Sequence, residues 1–322
     1  MSIFPKKLCK NDTIALISPA GAIYETEAIE VAIESLEALG LKVKKGKNLA
    51  KKHGYLAGTD AERAEDLHES FVDKDVKAII AMRGGYGCGR LLDLLDYDLI
   101  QKNPKILAGF SDVTALLLAV YAKTKLVTFH SPMGTSIWND FTVTHFCNAL
   151  FETELTNSSI NLLNKQQIIL QNPIHKGENL TQITDRIKTI QKGEAEGIFL
   201  GGNLTVFASL IGTPYLPDFE NSILFLEDIN EEIYRIDRLF CQLKLSGILS
   251  KVKGIVLGKF TNCGHGNRFS SLTLEDVFAH YINPLNIPCF LGAMIGHINN
   301  KFTVPVGAKV KINAEKGSIE IM

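Results

Sequence analysis

The chain has 322 residues, 46% of them hydrophobic, with 34 Lys and Arg set against 35 Asp and Glu for a formal net charge of -1. That length buries a sizeable core and exceeds one ordinary compact domain, so two domains are expected. The balanced charge, with no block of five or more like charges, argues against a nucleic-acid-binding or membrane-surface protein. No stretch reaches the roughly 18 apolar residues of a membrane span, and the apolar run from Ile14 to Ile17 is too short for a secretory signal. The cysteines Cys9, Cys88, Cys147, Cys241, Cys263 and Cys289 are scattered and form no Cys-x-x-Cys pair. They read as reduced thiols of a cytoplasmic protein. Without a Cys/His cluster or a His-Glu-x-x-His motif, no metal site is expected.

The first half alternates short β-like runs with helical patterns. "TIALISPAG" reads as strand and turn, "TEAIEVAIESLEALG" as an amphipathic helix closed by Gly40, and "LKVKKGKN" as a strand. "GTDAERAEDLHESFVD" reads as a helix capped by Thr59 or Asp60, "VKAIIAMRGG" as a strand, and "GRLLDLLDYDLIQKN" as a whole or broken helix. "KILAGFSD" with its following helix comes next, then the strand in "LVTFHSPMG". This alternation predicts a mostly parallel sheet covered on both faces, with ligands bound outside the carboxyl ends of its strands. Three motif-bearing turns, at Gly84–Gly89, Ser111 and His130, fall on that edge.

The polar, Asn/Gln-rich stretch after residue 150 changes character and reads as a linker over residues 151–180 between an N-terminal domain (1–150) and a C-terminal domain (181–322). In the latter, "AEGIFLGG", "SILFLED", "GIVLGKF" and "AKVKINAEKGSIEIM" are strands. "NLTVFASLIG", "EIYRIDRLFCQLKLSGIL" and "SLTLEDVFAHYIN" are helices.

Ser111 stands at an abrupt strand-to-helix corner. Such a serine is either a helix cap or a nucleophile lifted to the sheet edge, as in the Gly-x-Ser-x-Gly elbow. Here the run is Gly109-Phe110-Ser111-Asp112-Val113, and the second elbow glycine is missing. The turn "MRGGYGCGR" also has two readings. One is a phosphate loop, although Gly85-x-Gly87-x-Gly89 lacks the third fingerprint glycine and no acidic residue ends a strand about 20 residues on. The other is backbone N–H groups forming half of an oxyanion hole, with the Asp112 amide as the other half.

A serine nucleophile needs a base oriented by an acceptor. His53, His68, His145, His175 and His280 lie in polar, surface-like or helical contexts where a solvated imidazole is the usual outcome. His130 and His297 sit at strand ends beside Gly/Pro turns, and His265 lies in a glycine-flanked loop. Glu227 ends the apolar run "SILFLED", where an acid has no packing reason to be, although strand-end acids are often only solvated or capping groups. Ser250-Lys-Val-Lys253 matches Ser-x-x-Lys, but it follows a helix in a Lys-rich turn without a Lys-Thr-Gly and reads as chance.

Taken in order, "SPAG", "RGGYGCGRLL", "GFSDVTAL", "TFHSPM", "GIFLGGNLTVFASLIGTPYLP", "FLEDINEEIYRIDR" and "GHINNKFTVPVG" resemble the LD-carboxypeptidases. That family includes murein tetrapeptide carboxypeptidases and microcin C immunity peptidases. The resemblance spans nearly the whole chain and implies a flavodoxin-like α/β domain, a C-terminal α/β domain and an active site at their interface. It implies a Ser-Glu-His triad of Ser111, Glu227 and His297, with oxyanion donors from the Gly85 and Asp112 amides, and no cofactor. Arg83, Tyr86, His130 and Asn203 are candidate substrate contacts, and Ser131 departs from the family's usual Gly. The implied protein is a cytoplasmic serine carboxypeptidase of homodimeric habit that releases terminal D-Ala from a murein-derived peptide. Cleavage of a peptidyl-nucleotide antibiotic is the alternative within the family, with Trp138 either an adenine partner or a packing residue. From another class, a nucleotide-binding oxidoreductase or a non-catalytic binding protein on the same scaffold remains the competing reading.

Overall fold

The computed structural model describes residues 2–152, 166–169, 186–266 and 270–322. The linker expected over 151–180 falls mostly outside the described residues, as does His175. Two compact units are present. Described residues within Met1–Asn161, with Ser209–Asp218 and Asn299–Ala308, form the first; those within Leu162–Ala208, Phe219–Ile298 and Lys309–Met322 form the second.

The first unit is built on β1 (Thr13–Ile17), α1 (Glu27–Ala38), β2 (Lys42–Lys45), α2 (Asp60–Val72), β3 (Val76–Ala81), α3 (Tyr97–Lys102), β4 (Ile106–Gly109), α4 (Thr114–Thr124), β5 (Thr128–His130) and α5 (Asp140–Leu150). A late strand, β12 (Val304–Val306), completes its six-stranded sheet in the order β12-β5-β4-β3-β1-β2. All neighbours pair in parallel except β12 on β5. The continuous apolar runs of β1, β3 and β4 are explained by burial on both faces. The lysine-rich β2 occupies an edge, where charge discourages unwanted pairing.

Helix α2 starts at Thr59, which forms a reciprocal capping box with Glu62. The expected helix after Gly89 is broken into a 3-10 turn, Cys88–Leu91, and α3, because Asp96 caps a new start. Helix α4 is buried throughout except at Ala122 and Lys123, as its unbroken apolar sequence requires. Strand order reverses between β1 and β3, which opens a crevice at their carboxyl ends. The Gly21 N–H donates to the Gly84 carbonyl at 3.2 Å, so the loops after these two strands are joined there.

The second unit has an eight-stranded sheet in the order β6-β14-β13-β8-β9-β10-β11-β7. Strands β8 (Glu194–Asn203), β9 (Ser222–Ile229), β10 (Gly254–Thr261) and β11 (Cys289–Leu291) are parallel. Strands β7 (Lys188–Gln191), β13 (Lys309–Asn313), β14 (Ser318–Ile321) and β6 (Gln166–Ile169) add antiparallel pairs. The C-terminal run expected as strand is thus the hairpin β13–β14. Helices α6 (Leu204–Ser209), α7 (Ile233–Leu245) and α8 (Leu274–Ile282) accompany the sheet. Tyr281 of α8 donates to Asp237 of α7 at 2.6 Å. Among the described residues, no helix is long and apolar enough to cross a membrane.

Two short segments group with the first unit despite their late positions. Tyr215 stacks on Tyr97 with ring centroids 6.1 Å apart, and β12 zips onto β5. The Thr142 hydroxyl donates to the Asn299 carbonyl at 2.9 Å. Phe302 from the second segment also explains a correction to the sequence reading. His145, expected to be solvated, is held between Phe141 and Phe302, with centroids at 4.4 and 4.1 Å.

Burial lowers the His145 pKa from 6.5 to about 4. The unfolded chain therefore takes up this proton at higher pH than the native one does. The corresponding stability is present in full above about pH 6.5 and is lost as pH falls toward 4, by roughly 3 kcal/mol. Urea titrations of wild type and His145→Leu at pH 7 and 4.5 should show the variant losing less stability between the two. An identical loss in both proteins would rule out this histidine as a source of acid sensitivity.

Candidate active site

In the first unit, β4 delivers the chain to Phe110, which is extended (φ -148, ψ -171), and then to Ser111 at φ 62. A serine N-cap has β-region backbone and accepts a helix N–H with its hydroxyl. Ser111 does neither: the cap positions of the 3-10 turn Ser111–Val113 and of α4 are Phe110 and Val113, with no side-chain cap bond at either. The left-handed backbone costs a non-glycine residue about 1–3 kcal/mol and is characteristic of functional corners. The missing second elbow glycine is compensated at the first. A Cβ on Gly109 would lie 2.8 Å from Val113 Cγ1, so the bare Gly109 makes room for Val113.

The glycine-rich loop after β3 abuts this serine. A Cβ on Gly84 would stand 2.9 Å from Ser111 Cβ, 3.0 Å from its Oγ and 3.5 Å from the Asp112 nitrogen. The next residue, Gly85, is exposed and has φ 121. Neither the Gly85 nor the Asp112 amide donates to an acceptor among the described residues. The Asp112 carboxylate has work that sequence reasoning missed, since Oδ2 accepts the Cys88 N–H at 2.8 Å. Burial raises the Asp112 pKa, and the Cys88 hydrogen bond and the Arg63 charge oppose that rise.

The remaining candidates of this unit occupy different places. Arg83 donates to the Ala22 carbonyl at 3.1 Å and is half-buried. Tyr86 is 56% exposed and meets Tyr55 edge-on, with centroids 5.9 Å apart. His130 is fully buried beside Phe110, whose ring also carries Lys301 Nζ at 4.0 Å. Lys301 is buried as well, and its stacking is a contact that no local sequence signal announces. Ser131 is buried, with its hydroxyl 3.3 Å from that of Thr303. Trp138 packs edge-on against Phe146 at 4.9 Å, as a packing residue would.

In the second unit, Glu227 of β9 is completely buried, and its Oε2 accepts the His297 Nδ1–H at 2.8 Å. That bond selects the tautomer whose Nε2 carries a lone pair. His297 keeps 16% side-chain exposure and follows Gly296, whose φ of 127 turns the chain. A Cβ on Gly296 would lie 2.8 Å from Glu227 Oε2, so the glycine lets the acid and the imidazole loop close together. The Thr261 hydroxyl pins the same loop by donating to the His297 carbonyl at 3.1 Å.

Asn203 pairs with Glu227 in strand register but sends its amide to Asp228 at 2.9 Å and accepts the Val206 N–H at 3.1 Å. It therefore holds Asp228 and the start of α6. His265 is exposed in a turn, His68 accepts the Asp96 N–H, and Ser250 bonds its own turn, so none of these joins the sites described. The six cysteines are free thiols. Among the described residues, no group of three or more His, Cys, Asp or Glu is placed to hold a metal ion.

An extended-to-left-handed serine corner against a glycine loop, and a buried acid bonded to an imidazole, are the elements of a serine hydrolase. Residues 14–131 match the LD-carboxypeptidase N-terminal domain and residues 196–312 the LD-carboxypeptidase C-terminal domain. The chain belongs to the LD-carboxypeptidase family. It is 40% identical over 319 residues to the "Probable murein peptide carboxypeptidase" of Bacillus subtilis (strain 168), covering 98% of this chain and 93% of that protein. It is 31% identical over 336 residues to the "Microcin C7 self-immunity protein MccF" of Escherichia coli, covering 98% and 94% of the two chains. The crystal structure of an MccF-like protein from Bacillus anthracis str. Ames superposes with a TM-score of 0.85 at 32% identity, covering 100% of this chain and 99% of that one.

Gly84 is not among the positive-φ glycines, so Gly84→Ala tests crowding rather than left-handed strain. The added methyl must displace Ser111 or the loop, and kcat for peptide hydrolysis should fall about 10²-fold with the fold retained by circular dichroism. A folded variant with unchanged kcat would show that this contact does not place Ser111.

Proposed function

We propose that this chain is a serine LD-carboxypeptidase of the cytoplasm that releases the terminal D-Ala from murein-derived tetrapeptide by hydrolysing the bond after an L-diamino acid. The observation that carries the reading is the left-handed Ser111, freed from any capping role and set against the Gly84–Gly85 loop. The names of the B. subtilis relative and of a Pseudomonas aeruginosa murein tetrapeptide carboxypeptidase support the substrate class. Six free thiols fit a reducing compartment.

In this reading Ser111, Glu227 and His297 act as one triad. His297 Nε2 takes the Ser111 proton, because Nδ1–H is already committed to Glu227. Ser111 Oγ attacks the carbonyl of the L-centre, and the developing oxyanion is received by the amides of Gly85 and Asp112. The imidazolium, stabilised by the buried Glu227 carboxylate, gives its proton to the departing D-Ala nitrogen. Water, deprotonated by the same imidazole, then hydrolyses the acyl-enzyme.

The likeness to MccF favours a second reading within the family, cleavage of a peptidyl-nucleotide antibiotic. The packing of Trp138 against Phe146 gives that reading no support from the one tryptophan.

Purified protein incubated with L-Ala-γ-D-Glu-diamino acid-D-Ala should release D-Ala, detected by mass spectrometry, while Ser111→Ala should lose the activity by at least about 10⁴-fold. A pentapeptide ending in D-Ala-D-Ala should stay intact. Cleavage of an aminoacyl sulfamoyl adenosine with the tetrapeptide left untouched would favour the antibiotic reading. Equal release by wild type and Ser111→Ala would remove Ser111 from the mechanism.

A further inference from the structure

We propose that Arg63 is a positioning residue for the glycine loop: its buried guanidinium clamps two backbone carbonyls and thereby sets where Gly84 and Gly85 stand against Ser111. The proposal rests on the reading of Ser111 as nucleophile and of the Gly85 and Asp112 amides as its oxyanion donors.

Arg63 lies on α2 in a stretch, "DAERAEDLHESFV", that looks like an ordinary charged helix face, yet it is 0% exposed. Its Nη1 donates to the Pro19 carbonyl in the loop after β1 at 2.5 Å and to the Gly87 carbonyl in the loop after β3 at 2.9 Å. Its Nη2 is paired with Asp60. Asp60 is gripped from the other side by Arg90, whose Nε and Nη2 donate at 2.9 and 2.7 Å from the 3-10 turn. The glycine loop is thus fixed at both ends. Gly84 is held by the Gly21 N–H at 3.2 Å, and Gly87 is held by Arg63. The residue after Gly87 completes the circuit, because the Cys88 N–H donates to Asp112 beside the nucleophile.

Two features separate this role from plain stabilisation. Burying a guanidinium is costly, and replacing a buried ion pair with apolar residues is often neutral or favourable, so stability alone does not account for it. Arg63 also leaves its buried Nε without an acceptor while directing Nη1 at two carbonyls from different loops. The arrangement favours geometry over hydrogen-bond completeness. There is no space for an alternative at Gly87 either, since a Cβ there would stand 2.7 Å from Arg63 Nη1.

The test compares wild type, Arg63→Lys, which keeps charge but loses the planar fork, and Arg63→Ala with and without added guanidinium. Readouts are the melting temperature, kcat and KM for D-Ala release, and the rate at which a fluorophosphonate probe phosphonylates Ser111 with loss of fluoride. Loss of a whole oxyanion donor costs about 10²–10³ in kcat, so a displaced donor should cost about 10- to 100-fold. Folded Arg63→Lys should show that fall in kcat with KM within about twofold, and labelling slowed in proportion. Guanidinium should restore part of the Arg63→Ala loss. Folded variants with kcat and labelling within about twofold of wild type, or with only KM raised, would overturn the proposal. If neither Arg63 variant folds, Asp60→Asn loosens the anchor from its exposed side, and an unchanged kcat in that variant overturns the proposal equally. A wild-type protein that neither labels at Ser111 nor releases D-Ala contradicts the nucleophile reading itself, an outcome distinct from failure of Arg63 alone.

Discussion

Ser111 stands at φ 62 between an extended phenylalanine and a buried helix, and the surrounding first unit is arranged to keep it there. The conformation is unfavourable for a residue with a Cβ, so it persists only where neighbours over-determine it. Phe110 is wedged beside His130 and under Lys301, β4 is paired on both sides, and α4 is buried along almost its whole length. The bare Gly84 lies close enough to Ser111 that no side chain fits between them. The loop after β3 is therefore shaped by the serine it faces as much as by its own glycines.

Buried charge organises both units in the same manner. In the first, Asp112 is pulled out of water and compensated by the Cys88 N–H and the Arg63 charge, which ties the serine corner to the glycine loop. In the second, Glu227 is buried completely and faces His297 at 2.8 Å, while its neighbour Asp228 points to the opposite side of the strand and collects Asn203 and Thr205. An ionised group without a partner in such places would cost several kcal/mol. Each acid consequently dictates the position of the groups around it.

Much of this was legible in the sequence because it has local causes. Parallel strands buried on both faces leave unbroken apolar runs, capped helices leave Thr59-type starts, and an acid at the end of "SILFLED" has no packing reason to be there. What escaped has no local signature. Arg63 sits among other charged residues, and the carbonyls it binds, like the Cys88 N–H that meets the Asp112 carboxylate, come from loops distant in sequence. The strand Val304–Val306 is three residues long with a proline at its centre, and its pairing with β5 spans most of the chain. His145 looked solvated because Phe302, which covers it, arrives from that same returning segment.

The central claim is that Ser111 and the Glu227–His297 pair act as one catalytic device. The most direct test measures kcat for D-Ala release from the tetrapeptide in Ser111→Ala, His297→Ala and the double variant. Groups that act as a unit are strongly non-additive, so the double variant should be no slower than either single one to within about threefold. Losses that multiply in the double variant would contradict the account.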